Sequence, residues 1–160
     1  MHKDNLLRMS VHVATINPKV FDMECYRISH KNLTDIECNS VGCAIGHSII
    51  LAPELVKFNS IDKTINFEKW AEDFTGINIL TIQWSWCFSP YWSQLDDTPT
   101  KCAKRIKYIA LNGNIPKEFR RFKDFLFWDN YQFAIWKNDN TDFIIDLFST
   151  LETFYQSIEL

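Results

Sequence analysis

Within the ten residues Cys38-Asn39-Ser40-Val41-Gly42-Cys43-Ala44-Ile45-Gly46-His47, the chain places two of its five cysteines, two of its four glycines and one of its four histidines. Three chemistries suit these residue types. On a helix, Cys43 and His47 share a face about one turn apart. A thiol near a helix N-terminus is biased toward thiolate, so the pair has the ingredients of an activated nucleophile. No acid or amide stands at a recognisable spacing to orient the imidazole. Second, Cys38, Cys43 and His47 supply three zinc ligands, with Cys87, Cys102 or His30 as a fourth. Structural zinc usually takes two close ligand pairs, and Cys-x4-Cys has no second pair here. Third, a Cys38–Cys43 disulfide is geometrically conceivable but disfavoured in a reducing cytosol. Against all three stands a structural role: the thiols fill small core spaces, Ser40 caps a helix, and Gly42 and Gly46 let a second element approach its backbone.

A second set of residues suits binding rather than bond-making. From Lys101 to Lys123 there are eight basic residues against Glu118 alone, whereas from Asp124 to the end there are seven acids against Lys137 alone. Such halves either attract each other within the fold or present opposite faces to a partner. A phosphate-binding stripe is disfavoured, because the whole chain has a pI near 5.8 and its acidic part can neutralise the patch. The aromatic load is high, with thirteen Phe, six Trp and five Tyr. Trp, Tyr and Arg dominate binding hot spots, which makes Trp84, Trp86, Tyr91, Trp92, Lys104, Arg105, Arg120 and Arg121 the expected contact residues. The alternative for the tryptophans is that they fill gaps between short helices.

The elements that must position these groups read as helices. Asp4 is the expected cap of a first helix through Leu6, Leu7, Val11 and Val13, ended by Asn17-Pro18. A helix from Ser40 carries Val41, Ile45, Ser48, Ile49 and Ala52 on one face and stops at Pro53. Asn66 to Gly76 has an N-cap, an apolar stripe of Phe67, Trp70, Ala71 and Phe74, and a left-handed C-terminal glycine, with Ile77 placed to close the turn. Leu80 to Phe88 alternates as a strand would, although Ile79, Ile82 and Trp86 would share a helix face. Thr98-Pro99 opens the next helix and Gly113 closes it, with Cys102, Ala103, Ile106, Ile109 and Ala110 inside. Pro116 starts a helical pattern, with a hairpin at Asp129-Asn130 as the alternative. Asn140 or Thr141 caps a last helix whose stripe is Ile144, Leu147, Phe148, Leu151, Phe154, Tyr155 and Ile158.

Several pieces also keep the order found in a known family. Cys38-x-Ser40-x-x-Cys43-x-x-Gly46-His47 resembles the Cys-Gly-Thr-x-x-Cys-x-x-Gly-(His or Trp) segment of small proteins common in phages and prophages. Phe21-Asp22-Met23 upstream is similar to that family's Phe-Asp-Met-like stretch. Trp84-Ser85-Trp86-Cys87-Phe88-Ser89, Trp92, Asp97-Thr98-Pro99 and Ala103-Lys104-Arg105-Ile106 to Gly113 resemble its downstream segments. The likeness covers residues 21–119; it departs at Asn39, and 120–160 read as an extension. It carries no activity over, implies a helical fold that turns 80–88 toward helix, and its phage setting implies action on host machinery.

With 160 residues, 46% hydrophobic and 23% charged, the chain is expected to be one mainly α domain of six to eight short helices, with a minor β element at 79–88 or 125–136 as the variant. It shows no repeat, linker, membrane-length apolar run or signal peptide, and five cysteines are read as free thiols in a cytoplasmic protein. The expected function is that of a non-enzymatic phage or mobile-element protein that occupies a host protein surface, a counter-defence factor such as an anti-CRISPR protein. No cofactor is expected; the runner-up is a thiol- or zinc-dependent site at Cys38, Cys43 and His47.

Overall fold

The computed structural model describes residues 1–23, 43–61, 64–90, 92–119 and 141–160. The fold is mainly α. Among the described residues its helices are α1 (Lys3–Ala14), α2 (Ala44–Ser48), α3 (Phe67–Thr75), α4 (Ile82–Phe88), α5 (Trp92–Leu95), α6 (Pro99–Asn112) and α7 (Thr141–Ser157). Among the described residues the one β pairing is an isolated bridge, Phe58 to Ile65. No described helix is long and apolar enough to cross a membrane.

The core is built around α1 and α6, which share the most extensive described helix–helix contact. Leu6, Met9, Ser10 and Val13 recur at helical spacing and are all buried, which turns one stripe of α1 onto the Cys102, Ala103, Ile106 and Ile109 face of α6. The small pair at the contact lets the backbones approach, and Ser10 Oγ donates to the Ala103 carbonyl at 2.9 Å. Asp4 lies inside the first turn of α1, where its charge suits the helix dipole, and the residue before the helix is His2 rather than Asp4.

The local stop signals at α3 and α6 act as the sequence predicts. Asn66 accepts from the Lys69 amide and Gly76 ends α3 at φ 67°. Thr98 accepts from the Lys101 amide, Pro99 occupies the first turn, and Gly113 ends α6 at φ 73°. Gly76 has a second reason to be glycine: a Cβ there would stand 2.8 Å from Met1 Cα. That closeness arises because α1 docks on the carbonyl end of α3. The His2 amide donates to Thr75 O at 2.7 Å, and Asn5 Nδ2 donates to Phe74 O at 2.8 Å.

One open alternative is decided here and one expectation is corrected. Residues 79–88 hold no strand: Thr81 caps α4 over Ile82–Phe88. Ile82 and Gln83 in its first turn are part-exposed, but Trp84, Ser85, Trp86, Cys87 and Phe88 are all buried, so from Trp84 onward there is no wet face and alternation of residue type carries no information about the period. The helix expected from Ser40 does not run through Cys43, whose backbone is extended at φ −79° and ψ 178°. It begins at Ala44 and passes into 3-10 turns over Ile49–Leu51 and Pro53–Leu55. Ser40 and Gly42, the alternative β element at 125–136, and the pattern from Pro116 beyond Phe119 lie outside the described residues.

Candidate functional site

The segment with the most chemistry in its residue types is sealed. Cys43 is buried and stands at the start of the five-residue α2. Burial dominates its ionisation: it outweighs the pull of the Gly46 and Ile45 amides toward thiolate and pushes the thiol up to about 12. His47 turns to the chain before it, with Nε2 donating to the Val20 carbonyl at 2.9 Å. His12 Nε2 in turn donates to the His47 carbonyl at 2.9 Å. The two imidazoles stitch α1 and α2 to the turn at 18–20, so the described part of the segment is arranged as a joint. Cys87 and Cys102 are also buried free thiols. Burial raises Cys87 well above its ordinary range and takes Cys102 to about 11. Among the described residues no three His, Cys, Asp or Glu side chains are grouped as metal ligands; Cys38 and His30 lie outside those residues.

The expected contact residues are placed mostly inside. Trp86, Trp92 and Arg105 are fully buried, and Trp84 is 6% exposed, so none of the four presents a surface to a partner. Their packing gives the reason. Trp86 meets Trp92, Phe119 and Phe154 with ring centres 4.9 to 5.4 Å apart. Trp84 meets Phe88 edge-on at 5.0 Å. Short helices leave wide gaps at their junctions, and large rings fill them. Tyr91, Arg120 and Arg121 lie outside the described residues.

Arg105 is the unusual member of this interior. Its guanidinium lies 3.9 Å from the centre of the Trp92 ring and Nη1 donates to the Tyr155 hydroxyl at 2.7 Å. Burial alone would lower its pKa, but Tyr155, Cys102 and Asp96 around it reverse the sign, so it stays charged. Nε and Nη2 have no hydrogen-bond partner, nor does the indole Nε1 of Trp86. A buried cation with one neutral hydrogen-bond acceptor, one aromatic face and only the nearby Asp96 carboxylate to offset it is an expensive arrangement. It fixes where α7 sits, because Tyr155 is the acceptor.

The rest of the basic face of α6 is also directed at α7. Lys101 Nζ reaches Glu152 at 2.6 Å and the buried Asp96 at 3.4 Å. Lys104 Nζ donates to the Tyr155 carbonyl at 2.6 Å, and Lys107 Nζ donates to the Glu159 carbonyl at 2.7 Å. Three ammonium groups one turn apart thus serve the carboxylate and terminal carbonyls of the last helix, where the helix dipole is negative. Of the two roles the sequence left open for its charge halves, the described part of the basic stretch takes the internal one. Lys104 is half-buried in this contact.

What stands outward is different from what composition suggested. On α7, Ile144, Leu147, Leu151, Phe154 and Tyr155 are buried, while Ile145 is 62% and Phe148 36% exposed. Phe148 therefore leaves the stripe to which its spacing assigns it. The signal for Ile145 was in the sequence: it lies off the buried stripe, three residues before Phe148.

No family model matches the sequence, and no curated protein and no solved structure matches it.

Proposed function

We propose that this chain is a non-enzymatic binding protein of a phage or mobile element that acts by occupying a host protein surface. A counter-defence factor such as an anti-CRISPR protein is the kind of agent meant. The observation that carries the reading is the contrast between inside and outside. The described thiols, Cys43, Cys87 and Cys102, are buried and held protonated, whereas apolar and charged side chains of α7 face solvent. The resemblance of residues 21–119 to small phage proteins supplies the setting, and a host protein the partner. The buried positions of Trp84, Trp86, Trp92 and Arg105 remove them from the contact and move the search to the helix surfaces.

Capture from host lysate tests this. The tagged protein, with a denatured sample as control, should retain one host protein in near-stoichiometric amount, and Cys43→Ala should retain it equally. Retention of no host protein above the control would overturn the reading. Loss of the biological effect in a folded Cys43→Ala protein would return the thiol chemistry to first place.

A further inference from the structure

We propose that the Nε and Nη2 edge of Arg105 holds a small planar oxoanion, of the size of formate, nitrate or bicarbonate, at the junction of α6 and α7. The proposal goes beyond host-surface binding and stands independently of it.

A guanidinium is a planar fork. Its Nε–H and the adjacent Nη2–H bond run parallel, and this pair takes two oxygens of a carboxylate or a similar anion. In Arg105 these are the two nitrogens without an acceptor. Nη1, across the fork, donates to the Tyr155 hydroxyl at 2.7 Å. Arg105 is fully buried, so bulk solvent does not serve the free edge. Buried polar groups nearly always have a partner, and a charged pair of donors without one points to a bound water or ion. The Trp92 ring, centred 3.9 Å from the guanidinium carbon, closes one face of the fork. The occupant therefore lies in the guanidinium plane, which favours a flat ligand.

The neighbours decide between an anion and water. Asp96 is the carboxylate that acts on the guanidinium. Its Oδ1 accepts from Thr98 Oγ1 at 3.3 Å and its Oδ2 faces Lys101 Nζ at 3.4 Å, so one buried carboxylate is shared by two cations. Asp97 accepts from the Met23 amide at 3.0 Å. Glu152, the other partner of Lys101, is more than half exposed and is screened by solvent. Tyr155 and Cys102 bring no charge, because burial keeps the phenol protonated and takes the thiol to about 11. Lys104 Nζ adds a third cation, set on the neutral carbonyl of Tyr155. This excess of buried and half-buried positive charge favours an acceptor that carries its own negative charge. Because the same guanidinium holds Tyr155, an anion on its free edge ties α6 and α7 together from the inside.

Sodium formate and sodium nitrate are the probes, titrated into the full chain at constant ionic strength with sodium chloride as the spherical control. The Arg105 Nε–H signal, identified in heteronuclear NMR by its contacts with the Trp92 ring, reads the site directly. We expect formate and nitrate to shift that signal saturably and to raise the thermal midpoint, with chloride matching neither effect. Arg105→Lys keeps a cation and loses the paired edge, so its apparent affinity for either probe should fall at least about tenfold. Tyr155→Phe keeps the edge and should keep the response, which separates loss of the site from loss of stability. The proposal is overturned if the Nε–H signal does not shift saturably, if chloride acts equally, or if folded Arg105→Lys responds as the parent does. A bound water seen on Nε–H that neither probe displaces would make the occupant water and also overturn it. Should Arg105→Lys fail to fold, the titration of the parent and of Tyr155→Phe decides alone.

Discussion

Removing a single oxygen from Tyr155 isolates what holds the last helix to the core. Tyr155→Phe keeps the ring and deletes the acceptor that Arg105 Nη1 reaches at 2.7 Å. Nε and Nη2 already lack partners, and the guanidinium is fully buried, so no solvent replaces the lost bond. Hydrogen bonds to charged groups are worth about 1.5–3 kcal/mol, so Tyr155→Phe should cost about 2 kcal/mol. For a chain of this size that lowers the thermal midpoint by about 4–8 °C. Arg105→Met removes the charge itself. It leaves the buried Asp96 carboxylate with Lys101, at 3.4 Å, as its remaining cation; breaking a buried charge pair costs about 3–5 kcal/mol, and losing the contact with Trp92 up to about 2 kcal/mol. The Met protein should therefore be less stable than the parent by at least about 3 kcal/mol. In that background Tyr155→Phe should cost less than in the parent, because no cation waits for the oxygen and only the contact with Asp96 remains. Urea unfolding of the four proteins, followed by far-UV circular dichroism, measures the cycle. A single Tyr155→Phe within about 0.5 kcal/mol of the parent, or strictly additive effects, would refute the reasoning.

Three further outcomes follow from the same packing. Gly76→Ala should destabilise more than Gly113→Ala: both residues have positive φ, but a Cβ at 76 meets Met1 backbone at 2.8 Å while one at 113 meets only the Met1 side chain at 3.8 Å. Thermal midpoints check the order, and equal losses would deny the close approach. Iodoacetamide at about pH 8 should leave Cys43, Cys87 and Cys102 unmodified in the folded protein and alkylate them in urea, since only thiolate attacks; mass spectrometry after a timed pulse reads this, and rapid native labelling of any of the three counts against burial. Stability should also fall in alkali. Cys43 and Cys102 are raised from 9.0 to about 12 and about 11, so their contribution is complete below the unfolded value and is lost as pH rises through the folded ones. Urea midpoints should drop between about pH 8 and about pH 10, and less so in a Cys43→Ala, Cys102→Ala protein.

What the sequence made legible was local. Asn66, Gly76, Thr98, Pro99 and Gly113 bound α3 and α6 because caps and left-handed stops act within a few residues of themselves. What it concealed depended on neighbours far along the chain. The period of 80–88 was unreadable because every side chain from Trp84 to Phe88, polar or apolar, is buried, so no polar face marks it. Arg105 reads as one of a basic row with Lys101 and Lys104, yet it sits on the flank of the apolar stripe of α6, and α7 is laid over that flank. Nothing within ten residues of Arg105 announces Tyr155. The tryptophans were ambiguous for the same reason: an indole suits a wet contact and a dry junction equally, and only the arrangement of the other helices decides. Cys43 and His47 are four apart as a reactive pair would be, but burial and the Val20 carbonyl, both non-local, take them out of chemistry.

The seating of α1 on α6 also bears on how the chain reaches this fold. Ser10 and Ala103 hydrogen-bond across 93 positions of sequence, an uncommonly distant contact for a helical protein, whose folding is usually fast because its contacts are local. During synthesis at about 5–20 residues per second, α1 waits about 5–20 s for the helix it packs on. For that time Leu6, Met9 and Val13 lack the face of α6 on which they finally pack, although α2 and α3 are already made. The seating of α1 on α6 is thus completed late, and the apolar stripe that anchors the finished fold is one that needs shielding while α6 is being made.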